Sequence, residues 1–199
     1  MNRNSSTGGG QTGVRENEVF FRQWLRSPKS MGSVLPSSKS LARAIAAEVA
    51  WRPGQAVVEL GGGTGAISKG LLEAGIPPQD LVIVELDRPL FTYLRERFPQ
   101  VRVIHGDATR LGRILEELNV REVGTVISGL PMIAMPLDFQ RTIMEESFRV
   151  LPPGGYVLQY TFSPLVPIPA DRLNIEAKRV KVVVRNLPPA SIWRFRSRA

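Results

Sequence analysis

The sequence predicts an α/β fold in which a mostly parallel β-sheet carries helices on both faces. Short apolar segments alternate with amphipathic segments between residues 55 and 161, the pattern of repeated β-α-β units. A glycine-dense turn, residues 61–65, joins the first apolar segment to the first amphipathic one. Two extended segments with no helix between them end the chain, so the last strand is predicted to run antiparallel to its neighbours.

The apolar segments are short and nearly continuous in hydrophobicity, which is typical of strands buried on both faces. They predict five parallel strands: Gln55–Leu60, Asp80–Leu86, Val101–His105, Val123–Ser128 and Gly155–Thr161. The segments between them have apolar residues at helical spacing and predict four helices: Thr64–Ala74, Pro89–Phe98, Leu111–Leu118 and Leu137–Val150. The closing hairpin is predicted from Arg179–Arg185, a turn over residues 186–190, and Ser191–Arg196, giving seven strands in all.

The first fifty residues divide into a tail and two predicted helices. Residues 1–15 are rich in Asn, Ser, Thr and Gly and are predicted to be disordered. Residues 16–26 form an amphipathic helix with an apolar stripe and arginines away from it, and its predicted membrane contacts are Phe20, Phe21, Arg22, Trp24, Leu25 and Arg26. The alternative is that this stripe packs on the core of its own domain. A second helix is predicted from Lys39 to Val49 or Ala50, so residues 16–50 are N-terminal helices and residues 51–199 the sheet domain.

Composition excludes several kinds of chemistry. The chain of 199 residues has no cysteine and one histidine, His105, which rules out disulfides, cysteine nucleophiles and histidine-rich metal sites, so no metal is expected. The formal net charge of +8 favours nucleic acid or an anionic membrane surface as partner, with simple solubility as the alternative. The sequence shows no apolar run long enough to cross a bilayer and no secretory signal, so a cytoplasmic location is expected.

The glycine turn predicts a nucleotide-like ligand, because glycine lets the backbone adopt positive φ and lets a ligand approach closely. Its spacing, Gly61-x-Gly63-x-x-Ala66, also fits a dinucleotide site. Three carboxylates at the ends of successive strands favour S-adenosylmethionine instead. Glu59 would repel a pyrophosphate but suits an ammonium, Glu85 can accept from two ribose hydroxyls, and Asp107 can accept from the adenine amine. Each acid also has a purely structural alternative as a cap or a loop carboxylate.

These residues resemble the class I S-adenosylmethionine-dependent methyltransferases. The resemblance rests on Glu59–Gly65, Glu85, Asp107 and the closing hairpin, and it extends by pattern from about Ser33 to Arg198. It implies a Rossmann-like fold whose seventh strand is reversed. It also implies cofactor contacts at Leu35, Glu59, Gly61, Gly63, Glu85, Leu86, Gly106, Asp107, Ala108 and Ser128.

The loop after the fourth strand, which holds the acceptor in such enzymes, reads Ser128-Gly129-Leu130-Pro131-Met132. The rRNA adenine dimethyltransferases have Asn-Leu-Pro-Tyr or Asn-Pro-Pro-Tyr there, whereas this chain has Ser128 and Met132 at the Asn and aromatic positions. No counterpart of their additional C-terminal RNA domain is expected in this sequence. The loop is similar instead to that of the bacterial phospholipid N-methyltransferases, as is the segment Ser27–Ser38.

The second resemblance implies that the chain methylates phosphatidylethanolamine in successive steps toward phosphatidylcholine, at the surface of an anionic membrane. Ser128 and Tyr160 are the predicted catalytic residues, which would hold the amine, and Gly129, Leu130 and Pro131 would shape the substrate pocket. No nucleic acid partner is expected, the location is peripheral on the inner face of the cytoplasmic membrane, and a monomer is favoured. Two alternatives stay open: an rRNA or DNA adenine N-methyltransferase, and a non-catalytic protein that binds S-adenosylmethionine at a membrane.

Overall fold

A computed structural model describes residues 39–198. Its strands form one seven-stranded sheet: β1 (Ala56–Leu60), β2 (Leu81–Glu85), β3 (Arg102–His105), β4 (Val123–Ser128), β5 (Val157–Thr161), β6 (Ile175–Val183) and β7 (Ala190–Ser197). The helices are α1 (Lys39–Ala46), α2 (Ala66–Glu73), α3 (Arg88–Arg97), α4 (Leu111–Glu117) and α5 (Leu137–Val150). The predicted tail, the predicted amphipathic helix with its membrane contacts, the segment Ser27–Ser38 and the predicted cofactor contact Leu35 lie outside the described residues.

The strand order is β3-β2-β1-β4-β5-β7-β6. Strands β1 to β5 are parallel, and β7 runs antiparallel to both β5 and β6. The predicted mostly parallel sheet with an antiparallel C-terminal hairpin is therefore confirmed. Because the chain proceeds from β1 toward β2 on one side and from β4 toward β5 on the other, the order reverses between β1 and β4. Ligands of open α/β sheets bind at such a switch point, at the carboxyl ends of the strands.

Alternating side chains of the strands pack against different helices. One buried cluster joins Val57, Ile83 and Ile127 of the sheet to Leu41 of α1 and Leu71 of α2. Leu94 of α3 belongs to the same cluster, so α1, α2 and α3 cover this face. On the other face, Ile114 of α4 approaches Val84 beside Gly106. Apolar burial on both faces explains why the parallel strands read as continuous apolar runs in the sequence.

Several element ends differ from the predictions, each for a local reason. Helix α1 ends at Ala46, because the chain then turns and Thr125 Oγ1 of β4 both accepts from the amide of Ala50 (3.0 Å) and donates to its carbonyl (2.7 Å). Helix α2 begins after Gly65, whose φ of 75° is incompatible with a right-handed helix. Strand β6 begins at Ile175, four residues before the predicted start, because it pairs along nearly its whole length with β7. Within residues 39–198, no helix is long and apolar enough to cross a bilayer.

Candidate active site

The candidate site lies where the turns after β1 and β4 meet. The amide of Gly129 donates to the carbonyl of Leu60 at 2.8 Å, and the amide of Gly61 donates to the carbonyl of Val84 at 2.8 Å. A Cβ on Gly61 would lie 2.8 Å from Cδ2 of Leu130, so the glycine turn and the acceptor loop are in van der Waals contact. The two segments predicted separately as cofactor site and substrate pocket thus form one continuous site.

The glycine turn presents open backbone at Gly63. This residue has a φ of 53°, and a Cβ placed on it would meet no atom within 4 Å. Its amide donates to Oε2 of Glu85 at 3.0 Å. A left-handed backbone with open space above it is the arrangement that lets a ligand lie directly on the main chain.

Glu85 connects the turns that follow β1 and β2. Besides the bond from Gly63, its Oε1 accepts from the amide of Asp87 at 2.9 Å. The side chain is buried, and burial raises the pKa of Glu85. The backbone amides of Asp87, Gly63 and Leu86 oppose that rise, and the charge of Asp87 adds to it. Each carboxylate oxygen has a second lone pair, so this carboxylate can accept from a ligand while it holds the turn. Asp87 has a structural role, because its Oδ1 caps α3 through the amide of Leu90 at 2.9 Å.

The turn after β3 presents a third carboxylate. Asp107 Oδ1 accepts from the amide of Thr109 at 2.9 Å and caps a short 3₁₀ turn, residues 108–110. Among the described residues, Oδ2 of Asp107 has no hydrogen-bond partner, which leaves it available to a ligand. The predicted contacts Gly106 and Ala108 flank it. The amide of Gly106 donates to the carbonyl of Glu85 at 3.0 Å, which ties this turn to β2.

His105 is held in a structural position beside this turn. Its Nε2 lies 2.9 Å from the carbonyl of Leu86, so that nitrogen must carry the proton. Its ring packs on Phe91 with centroids 5.3 Å apart. The hydrogen bond from His105 also fixes the backbone of Leu86, a predicted cofactor contact that directly follows β2.

Glu59 is the most deeply buried acid of the site, with 1% of its surface exposed. Its Oε2 accepts from the hydroxyl of Ser68 on α2 at 2.6 Å. Burial raises the pKa of Glu59 to about 8, the Ser68 hydrogen bond opposes the rise, and the charge of Glu85 adds to it. Its predicted contact with the ammonium of the cofactor stays a prediction. A nearly neutral carboxyl there becomes charged more readily when a cation is close.

The acceptor loop contains both predicted catalytic residues, in different surroundings. Ser128 is fully buried, and its Oγ accepts from the amide of Leu130 at 3.4 Å, so its hydroxyl faces the loop's own backbone. Tyr160 is half-buried, and its hydroxyl lies 2.7 Å from the position of a Cβ on Gly129. Tyr160 is therefore the catalytic candidate whose polar atom lies where the two turns meet. The predicted roles of both residues stay predictions.

Gln159 supports the acceptor loop and was not predicted. It is buried next to Ser128 in the β4–β5 register, and its Nε2 donates to the carbonyls of Leu130 and Tyr160, both at 2.9 Å. Its Oε1 is buried without a hydrogen-bond partner. A polar residue inside an otherwise apolar strand was the signal that could have identified it, because buried amides need partners.

Comparison with known proteins agrees with this geometry. A methyltransferase domain family matches residues 57–155. An ornithine lipid N-methyltransferase of Singulisphaera acidiphila is 31% identical over 178 residues, which cover 88% of this chain and 93% of that protein. The chain is a class I S-adenosylmethionine-dependent methyltransferase. The predicted cofactor is thereby confirmed, and the dinucleotide alternative is set aside.

The methyltransferase is also similar to proteins whose names give other activities. Ribosomal RNA small subunit methyltransferase A of Laribacter hongkongensis is 30% identical over 188 residues, covering 82% of this chain and 71% of that protein. A TehB-like SAM-dependent methyltransferase of Corynebacterium glutamicum superposes with a TM-score of 0.57 at 18% identity, over 92% of this chain and 100% of that chain. This last likeness shows the shared fold.

The hydrogen-bonding groups of the methyltransferase site fit its cofactor. The open backbone at Gly63 gives a surface for close approach, and Glu85 and Asp107 present acceptor oxygens for hydroxyl and amino groups. A site with three carboxylates suits a ligand that carries an ammonium and a sulfonium. Within the described residues no group of three or more His, Cys, Asp or Glu is arranged to hold a metal ion.

The titration of Glu59 gives a test of this electrostatic description. Its pKa is about 8 in the folded chain and near 4.3 when unfolded. Between those values the unfolded state releases a proton that the folded state keeps, so the free energy of unfolding falls as pH rises. Glu59→Gln removes this titration. We expect the variant's stability relative to the parent to rise from pH 5 to pH 8 by at most about 4 kcal/mol, at ~1.4 kcal/mol per pKa unit.

Urea unfolding of the two proteins without cofactor at both pH values measures this difference. Glu117→Gln, at an exposed carboxylate of α4, is the control and should show no comparable change. Parallel pH profiles for Glu59→Gln and the parent protein would contradict the description.

The contact between the two turns is tested by Gly129→Ala. The added methyl group would lie 2.7 Å from the Tyr160 hydroxyl and 2.8 Å from the carbonyl oxygen of Gly61, so one turn must move. A displacement of about 1 Å of groups that align two reactants costs on the order of 10–100-fold in turnover. We expect kcat to fall by that order while the far-ultraviolet circular dichroism is unchanged. Displacement of the glycine turn should also weaken cofactor binding. Adding Tyr160→Phe removes one of the two clashes, so the double variant should bind cofactor more tightly than Gly129→Ala. Equal binding by the two variants would show that the hydroxyl contact is unimportant.

Proposed function

We propose that this methyltransferase N-methylates phosphatidylethanolamine in successive steps toward phosphatidylcholine, at a membrane surface. The observation that carries the proposal is the match along nearly the whole length of a lipid N-methyltransferase. The acceptor loop Ser128–Pro131 agrees with it, because its side chains are small or apolar and suit a small amine better than a base. The relative is named for ornithine lipid, which also carries an amine. Ornithine lipid is therefore the main alternative lipid acceptor.

In this proposal some residues of the site bind the cofactor, and others orient the cofactor and the acceptor relative to each other. When bound, S-adenosylmethionine supplies a methyl group on a positively charged sulfur. Glu85 and Asp107 would hold its ribose and adenine, and Glu59 its ammonium. Gly61 and Leu130, which touch each other, would bring cofactor and acceptor side by side. Holding two reactants in line supplies much of the rate acceleration in a transfer of this kind.

The acceptor amine must be neutral, because its lone pair forms the new N–C bond as the bond between the methyl group and the sulfonium breaks, which leaves S-adenosylhomocysteine as product. A proton therefore leaves the ethanolamine ammonium first, and water reaching the crevice can accept it. In this proposal the Tyr160 hydroxyl accepts a hydrogen bond from the amine and fixes its direction. As methyl groups accumulate and hydrogen-bond donors are lost, the aromatic ring can stabilise, by a cation–π contact, the positive charge that develops on nitrogen during each transfer. One residue thus serves successive substrates, which repeated methylation requires.

RNA is the second candidate acceptor, favoured by the likeness to an rRNA methyltransferase and by the net charge of +8. The loop opposes it. Met132, at the position of the aromatic residue in the rRNA enzymes, is fully buried in this chain and cannot stack on a flipped base.

Cofactor binding is tested by Glu85→Ala and Asp107→Ala. Glu85→Ala removes both the ligand acceptor and the bond that holds Gly63, so we expect the Kd for S-adenosylmethionine to rise roughly 10–100-fold. Asp107→Ala should have a smaller effect, because it removes a single acceptor. Isothermal titration calorimetry measures both, with the exposed Glu117→Ala as the control. Unchanged affinity in Glu85→Ala would refute the assignment of the site.

The acceptor is tested by offering radiolabelled S-adenosylmethionine with detergent-dispersed phosphatidylethanolamine, with ornithine lipid or with ribosomal RNA. We expect label in the organic phase with phosphatidylethanolamine, as mono-, di- and trimethylated lipid on thin-layer separation. Tyr160→Phe should slow the first transfer, in which the amine has most hydrogen atoms, more than the last. Label only on ornithine lipid would correct the acceptor, label on RNA would support the second candidate, and label nowhere would support a non-catalytic role.

A further inference from the structure

The exposed apolar side chains of the described residues are concentrated in three segments. Seven large apolar side chains are exposed among the described residues, and one of them, Tyr93, lies on α3, outside these segments. The other six follow β4, follow β5, or lie at the end of β6 and in the turn after it. They are Ile133, Leu165, Val166, Val182, Val184 and Leu187. Scattered exposed aliphatic residues are ordinary, but a group confined to adjacent loops needs an explanation.

The sheet register places these segments at the carboxyl ends of the parallel strands, the end of the sheet that carries the active site. Thr161, the last residue of β5, is paired with Ser191, and Val183 is paired with Ala190. The loop after β5 and the turn from β6 to β7 therefore leave the sheet on the same side as the acceptor loop. In that turn Val184 is 74% and Leu187 is 85% exposed, and in the β5 loop Leu165 is 66% exposed.

Charge divides this edge into two halves. The turns after β1, β2 and β3 carry or adjoin the acids of the cofactor site. The loops 129–136 and 162–169 contain no charged residue. Two basic residues, Lys181 and Arg185, are exposed beside the apolar turn, and residues 177–198 contain no Asp or Glu. The half nearest the acceptor is thus apolar at its tips and basic behind them.

We propose that these six apolar residues, together with Lys181 and Arg185, form a docking surface for an anionic phospholipid bilayer. The apolar tips enter the boundary between head groups and acyl chains, and the two cations lie at the level of the phosphates. The inference rests on the proposed lipid acceptor and goes beyond it. It assigns membrane contact to described loops at the mouth of the site, independently of the predicted N-terminal helix.

The composition of the surface favours a bilayer over RNA. Single-stranded RNA is held by aromatic side chains on which bases stack, whereas the six exposed apolar members of this surface are all aliphatic. The nearby aromatic residues Phe162 and Trp193 are half-buried, and Phe162 packs edge-on against Tyr160. A docking surface beside the acceptor loop also shortens the path of a lipid head group, because the acyl chains can stay in the bilayer while the amine reaches the site.

Because the chain has no cysteine, a single label can report on this surface. Val184→Cys in the full chain carries the environment-sensitive fluorophore NBD, and Arg121→Cys, exposed just before β4 at the opposite edge of the sheet, carries the control label. With vesicles of phosphatidylethanolamine and phosphatidylglycerol in equal parts, we expect the label at residue 184 to shift to shorter wavelength. Lipids bearing nitroxide groups on their acyl chains should quench it, and the control label should respond to neither. A label at residue 184 that stays in water while the protein sediments with vesicles would overturn the inference.

Two further variants test the apolar and the basic parts separately. Leu165→Ser/Val184→Ser and Lys181→Glu/Arg185→Glu should each weaken vesicle binding about tenfold or more, whereas Arg121→Glu should not. Both double variants should keep the parent's rate on detergent-dispersed lipid, where no bilayer must be reached. Loss of that rate would place these residues in the site itself and overturn the docking role. A response of the residue-184 label to RNA but not to vesicles would overturn it in favour of a nucleic acid.

Absence of methyl transfer to any detergent-dispersed lipid, with vesicle insertion intact, would refute the proposed function alone. Methyl transfer in detergent without insertion of the residue-184 label would refute the docking surface alone.

Discussion

The buried carboxylate of Glu85 is the group on which the geometry of the site depends. It accepts a hydrogen bond from the amide of Gly63, in the turn after β1. It accepts another from the amide of Asp87, in the turn after β2 and 24 residues later in the sequence. Without it the amide of Gly63, at the most open point of the glycine turn, would be unpaired. Asp87, the N-cap residue of α3, would lose the hydrogen bond that fixes its amide. A carboxylate is suited to this position because it can accept several hydrogen bonds at once, and so it can hold both turns and still meet a ligand.

That arrangement has an electrostatic cost that the ligand can relieve. Glu59 and Glu85 are both buried, and the charge of one raises the pKa of the other. Placing two carboxyl groups in an apolar sheet is unfavourable without compensating cations. Among the described residues, no buried cation lies in this site. If the ammonium of S-adenosylmethionine lies beside Glu59, as predicted, it would supply the missing positive charge, and the same pair of buried acids would favour a cationic ligand.

Sequence reasoning predicted the sheet well, because strands buried on both faces produce long apolar runs and helices between them produce a different period. It was less successful where partners outside the segment decide the structure. Thr125 ends α1 early by binding the backbone of Ala50, and β6 extends to Ile175 because β7 is there to pair with it. The acids of the site could be predicted because each lies within the last two residues of a strand or just beyond its carboxyl end. Gln159 could not, because its role depends on carbonyls of a loop that approaches only in the folded chain.

The topology also shows how the carboxyl ends of the strands could receive both S-adenosylmethionine and the lipid acceptor proposed here. The chain builds β1, β2 and β3 outward on one side of the switch point, and their turns carry or adjoin the carboxylates that suit a polar, cationic cofactor. It then returns to build β4, β5 and the β6–β7 hairpin on the other side, and these segments carry apolar and basic residues at the same edge. The contact of Gly61 with Leu130 is the boundary between the halves. In the proposed reaction a methyl group would cross only that boundary, so the polar cofactor and the lipid acceptor would approach from opposite sides and each would keep its own surroundings.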